Sequence, residues 1–197
     1  MKFQRYFKAF SYRGSPVLVH WTVLLAFPFA CLIEKSFLYA LEVQVAFLVL
    51  MLAHELGHAF VAKRIGLPVF SLRLYAIHGT CIYGTPHSKR KEIAIAWGGV
   101  AAQAILFFLA LALTEGLSAT IGVPQYVSPI LAVLVPMNMF IALFNLLPIK
   151  PLDGATAWLF IPLSISGAIA RVRSRPKRRT TSHVVSMELG RFGRKQK

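Results

Sequence analysis

The sequence predicts an all-α membrane protein of about four transmembrane helices, with a short interfacial or re-entrant apolar segment and a small β-hairpin in a cytoplasmic loop. Three observations carry this reading. Of 197 residues, 56% are hydrophobic and only 15% charged, against roughly 25% charged in ordinary soluble domains, and the mean hydropathy is +0.61. Several nearly uncharged runs approach the ~20 residues that a helix needs to cross hydrocarbon. The cations, finally, are sorted between the runs as a membrane protein sorts them.

The spans are expected at 17–33, 38–62, 92–113 and 129–147. Lys2, Arg5, Lys8 and Arg13 precede the first, and Lys63, Arg64, Arg73, Lys89, Arg90 and Lys91 lie between the second and third. Ten more cations follow Ala170, whereas 114–128 has none. By the positive-inside rule the N-terminus, the 63–91 loop and the tail face the cytoplasm, as in a multi-pass protein of a prokaryotic cell membrane. No Ala-x-Ala-like site follows the basic start, so the N-terminal segment is expected to stay as an anchor.

Within the loop, Val69 to Tyr75 and Thr80 to Gly84 alternate around Gly79, which is a hairpin pattern. The apolar stretch 155–170 is interrupted by Pro162 and Gly167. If it crossed, it would carry ten cations to the far side, so it is expected to lie in the interface or re-enter. The division expected is one membrane-embedded domain over 1–170 and a basic tail over 171–197, too poor in apolar residues to fold alone. The net charge of +15 then points to anionic lipid at the tail, with nucleic acid the weaker reading. Cys31 and Cys81 fall on separate segments and suggest no disulfide framework.

Chemistry gathers in the second span, at His54-Glu55-Leu56-Gly57-His58. Residues i and i+4 share a helix face, so both imidazoles can reach one ion with Glu55 beside it. Zinc suits two neutral imidazoles and an open position for water, and Glu55 can take a proton from that water. The five-residue pattern also arises by chance in soluble helices. Here it lies inside an apolar span, where His and Glu are costly unless paired or metal-bound.

A third ligand must come from seven carboxylates: Glu34, Glu42, Glu55, Glu92, Glu115, Asp153 and Glu188. Glu34 and Glu115 should face the far side, Glu188 is in the tail, and Glu42 is about three turns from His54. Glu92 follows three cations and reads as a cap or ion-pair partner at the start of the third span. Asp153 remains, in Asn145-Leu-Leu-Pro148-Ile-Lys-Pro151-Leu152-Asp153-Gly154. The two prolines disfavour helix there, and unwound backbone at membrane depth belongs inside protein or beside water. The plain alternative is an Asp-Gly turn ending a helix at the surface. His20, His78, His87 and His183 read as interfacial or solvated side chains.

Taken together, HELGH in an early span and N-x-x-P-x-x-P-L-D-G at the end of a later one resemble the site-2 protease family of intramembrane zinc metalloproteases. The resemblance covers roughly residues 14 to 160, including Ser15-Pro16-Val17-Leu18-Val19-His20-Trp21 and the Gly-rich start of the third span. It implies His54, His58 and Asp153 as zinc ligands, Glu55 as general base, and Asn145 as a polar group near the substrate. The implied substrate is a membrane protein cut in or near its own transmembrane segment. Many members read Leu-Asp-Gly-Gly where this chain has Leu152-Asp153-Gly154-Ala155, and Gly-Pro-x-x-Asn where it has Gly98-Gly99-Val100-Ala101-Ala102-Gln103. Gln103 reads as an interhelical hydrogen bonder, and the small residues before it as a close helix contact. Two other classes stay in view: a catalytically silent zinc-binding membrane regulator and a metal transporter.

Overall fold

The first element is a hairpin, β1 (Tyr6–Tyr12) and β2 (Ser15–His20), in a computed structural model that describes residues 6–34 and 36–164. Arg13 and Gly14 turn it with positive φ of 47° and 85°, the backbone that a two-residue hairpin matched to strand twist requires. A short helix, α1 (Val23–Glu34), follows, then the long α2 (Phe37–Arg64). The loop after α2 supplies β3 (Val69–Leu74) and β4 (Gly79–Tyr83). Next come α3 (Lys89–Thr120), α4 (Ser128–Asn145) and the four-residue turn of helix α5 (Gly154–Ala157).

The expected all-α class needs correction, since a sheet is present, and of the about four helices expected one is shorter than a full span. Among the described residues three helices, α2, α3 and α4, are long and apolar enough to cross a membrane. The run expected to span at 17–33 begins as a strand, because Val17 and Val19 enter a sheet with Leu72 and Leu74. What is left for α1 is 12 residues with Pro28 inside, about 18 Å of helix against about 30 Å of hydrocarbon. The 69–83 hairpin is also half of a larger object, a four-stranded mixed sheet in the order β1-β2-β3-β4. β2 and β3 run parallel and the outer pairs antiparallel. Pairing alternates face by face, so a run buried on one side satisfies a strand as readily as a helix.

The fifth apolar stretch begins a short helix, Gly154–Ser164. Residues up to Ile161 form one compact unit; of the second, only 162–164 are described. The basic tail expected from 171 onward lies outside the described residues.

The sheet is fixed to the helices by one apolar cluster, Val17, Leu67, Val69 and Leu72 against Ala59, Ala62 and Ile95. α2 ends in a glycine cap: Gly66 has φ +82°, and the Leu67 amide donates back to the Ala62 carbonyl at 2.9 Å, so the chain leaves α2 directly for β3. A second cluster, Ala46 and Leu50 with Val133, joins α2 to α4. Outward faces are apolar: Leu38 and Val45 of α2, Ile105 and Phe108 of α3, and Phe140 and Leu143 of α4 are all exposed. Such contiguous apolar surface fits lipid rather than water as solvent.

α2 and α3 meet backbone to backbone. A Cβ at Gly57 would collide with the Gly98 carbonyl oxygen and come within 2.8 Å of Ala102 Cβ, and a Cβ at Gly98 would sit 2.6 Å from the Gly57 carbonyl oxygen. Small residues permit this approach, as between helices in membranes generally. Inside α4 the turn Val133–Met137 widens to a π-helical one around Pro136. Pro136 has no N–H to give the ladder, and the wider turn accommodates it.

Candidate metal centre

The close crossing brings the ligand-bearing face of α2 against α3. His54 and His58 stand one turn apart with ring centroids separated by 4.5 Å at 90°. Each ring is held from behind through Nδ1. That of His58 lies 2.7 Å from the Ile95 carbonyl oxygen, an acceptor only, so Nδ1 carries the proton. That of His54 lies 2.9 Å from Gln103 Oε1. Both Nε2 atoms are thereby left as lone pairs, and they face each other at 3.0 Å.

Asp153 completes the group from another part of the chain. Its Oδ2 lies 3.0 Å from His54 Nε2 and 3.2 Å from His58 Nε2. Three ligand atoms, one from each residue, fall within 4.8 Å of one another. Three acceptors converging on one point are satisfied by a shared cation, and two imidazole nitrogens with one carboxylate oxygen form a zinc donor set. Gly99 gives these rings their room, since a Cβ there would sit 2.5 Å from His58 Nε2 and 2.6 Å from His54 Cε1.

The segment after α4 delivers Asp153 through packing rather than periodicity. The Trp158 indole N–H donates to the Leu146 carbonyl at 2.6 Å, and that of Trp97 on α3 to the Ala157 carbonyl at 3.2 Å. Gly154 tucks beneath the Leu146 and Leu147 carbonyls, where a Cβ would collide. Glycine after Asp153 is therefore a condition for folding this loop back onto the helices.

Glu55 is buried beside the pair, and β4 begins directly over it: a Cβ on Gly79 would overlap the Glu55 carboxylate. Burial, the main cause, with Glu55 nearby, pushes the Cys81 thiol of this strand up to about 12. All four polar groups line a cavity of about 990 Å³ that Gly79, Thr80, Cys81, Gln103 and Asn145 also border. Asn145 is half-buried at the end of α4. Glu92 pairs with Lys89 at 2.8 Å, as its position after three cations suggested.

His20 and His78 make contacts of their own, and His183 lies outside the described residues. His20 Nδ1 lies 2.9 Å from Thr22 Oγ1, and its ring packs among Tyr6, Trp21 and Tyr75. His78 stacks on Tyr75 at the cavity's edge. Sequence reasoning missed the partner of Gln103. The amide is an interhelical hydrogen bonder, and what it holds is His54; an amide alone in an apolar helix was the available signal. The space made by Gly79 and Gly99 had none, because both depend on which elements meet.

Fold and site together describe a multi-pass membrane protein in which two histidines and an aspartate are grouped so that they could hold a metal ion, beside a buried glutamate. No family model matches the chain. Rip3 of Mycobacterium tuberculosis, whose name assigns it to the zinc metalloproteases, is 39% identical over 107 residues, 53% of this chain and 26% of that protein. A zinc metalloprotease of Methanocaldococcus jannaschii is 27% identical over 150 residues, 75% of this chain and 42% of the relative. The matches thus span less than half the length of these curated relatives. Among solved structures, the site-2 protease from Methanocaldococcus jannaschii superposes with a TM-score of 0.61 at 24% identity, over 79% of this chain and 71% of that one. In sequence the chain is thus similar to part of these zinc metalloproteases, and in fold to a site-2 protease.

Proposed function

We propose that the chain is an intramembrane zinc metalloprotease that hydrolyses a peptide bond in or near the transmembrane segment of another membrane protein. The observation that carries this is the meeting of His54, His58 and Asp153 within 4.8 Å in a cavity that buried Glu55 shares. These three residues would hold Zn2+, which when bound supplies a Lewis acid and lowers the pKa of water from 15.7 to about 7. Glu55 is the general base. Its carboxylate takes the proton of the attacking water and returns it to the leaving amide nitrogen. Asn145, on the cavity wall, offers its amide to the substrate carbonyl.

A substrate helix satisfies its own backbone, so it must unwind before it can be cut. β4 supports a docking step, because it ends the sheet order and borders the cavity. An extended segment can add there as a fifth strand through main-chain hydrogen bonds. The N-terminus, the loop that carries the hairpin and the basic tail face the cytoplasm, and the tail binds anionic lipid. Glu55 argues against a silent regulator, since a purely structural zinc site has no use for a buried carboxylate beside its ligands.

The experiment is co-expression with a library of tagged single-span proteins, comparing the wild type with Glu55→Gln. Cleavage of at least one substrate by the wild type and loss of that cleavage in the zinc-loaded variant are expected. Unchanged cleavage by the variant overturns the reading, and zinc flux into vesicles by the variant favours transport.

A further inference from the structure

We infer that Gln103 is a positioning residue, which with Asn138 behind it sets the tautomer and ring orientation of His54. The inference rests on the zinc reading of the site. Gln103 is 1% exposed, in the middle of α3. Its Oε1 lies 2.9 Å from His54 Nδ1, while its Nε2 is buried with no hydrogen-bond partner. Leaving a buried amide donor unpaired costs free energy, so packing alone gives no reason for an amide in this apolar helix. The contact with His54 gives one. An acceptor behind Nδ1 keeps the proton there and leaves Nε2 free to ligate, which is how partners of metal-bound histidines act.

Asn138 holds the same point from the other side. It is fully buried, and its Nδ2 donates to the backbone carbonyl of Gln103 at 2.9 Å and to Leu134 at 3.3 Å. Leu134 lies in the π-helical turn of α4. A line of hydrogen bonds thus runs from the irregular turn of α4, through α3, to the first imidazole. Ile95 serves the second imidazole with its backbone, which substitution cannot remove. Only the His54 side depends on a side chain.

The test uses the full chain in detergent, read by zinc affinity in chelator competition and by the visible absorption of the Co2+-loaded protein. Gln103→Leu should weaken zinc by about 10–100-fold and shift the Co2+ bands. Gln103→Glu, which keeps an acceptor, should bind zinc at least as tightly as the wild type. Asn138→Leu should weaken it by less than Gln103→Leu. Gln44→Leu is the control, as Gln44 is also buried with an unpaired Nε2 but lies about 15 Å away along α2; its zinc affinity should be unchanged. Wild-type affinity and unaltered Co2+ bands in Gln103→Leu overturn the inference while leaving the zinc reading intact. Equal weakening by Gln44→Leu overturns it too. Should Gln103→Leu fail to fold, loss of zinc by a folded Gln103→Glu has the same force. A wild-type chain that takes up neither metal sinks the zinc reading itself.

Discussion

Two regions supply the three candidate ligands, and they are built by opposite means. The α2–α3 crossing is regular helix locked by main-chain contact at Gly57 and Gly98, and helical periodicity puts its two imidazoles on one face. The segment from Leu146 to Asp153 is irregular and partly exposed, and it presents one carboxylate because two indoles and a glycine pin it down. The first region cannot fail without losing the fold. The second can lose its ligand and leave the helices standing.

Substitutions can break that contrast. The largest effect is expected from Gly57→Ala, whose Cβ would push against the Gly98 backbone and the Ala102 Cβ, neither of which is a flexible side-chain end. Overpacking of this kind costs about 1–3 kcal/mol or more, so the apparent Tm and the zinc content should fall together. Asp153→Ala should separate them: zinc affinity drops more than about 100-fold, beyond what loss of an outer partner does, while helix content by circular dichroism and Tm hold. A fall in Tm as large as that of Gly57→Ala would show the two regions to be one cooperative unit. Trp158→Phe removes one indole hydrogen bond, about 0.5–1.5 kcal/mol, and should loosen zinc by roughly tenfold or less with no change in secondary structure.

The smallest effect sharpens the contrast from the side of the sheet. With the Cys81 thiol pushed up to about 12 by burial, it stays protonated at pH 7.5 and should react with iodoacetamide far more slowly than free cysteine. Labelling at the free-cysteine rate would mean that β4 lifts away from Glu55 in solution.

What could be read from the sequence follows the same division. His54, Glu55 and His58 were legible because a helix converts spacing into a shared face, and the cores of α2, α3 and α4 because lipid demands long apolar runs. Asp153 could be named by counting carboxylates, but its approach depends on Trp97, Trp158 and Gly154, whose partners lie far along the chain. The strand Ser15–His20 was hidden because its apolar residues merge with those of α1 into one run, and the Arg13-Gly14 turn carries no Asn-Gly or Asp-Gly signature. Gln103 was visible as an oddity in an apolar helix. Its partner was not, since nothing in a sequence without its fold says which turn of α2 faces which turn of α3.

Gly57 sits within the same helical turn as His54 and His58, so the narrowest point between α2 and α3 coincides with the ligands. Helices in a bilayer tilt to suit its thickness, and two rods pinned at one place swing their ends while that place stays still. The imidazoles ride at the fulcrum. Bilayers of different thickness should therefore reshape the mouth of the cavity long before they disturb the pair of nitrogens.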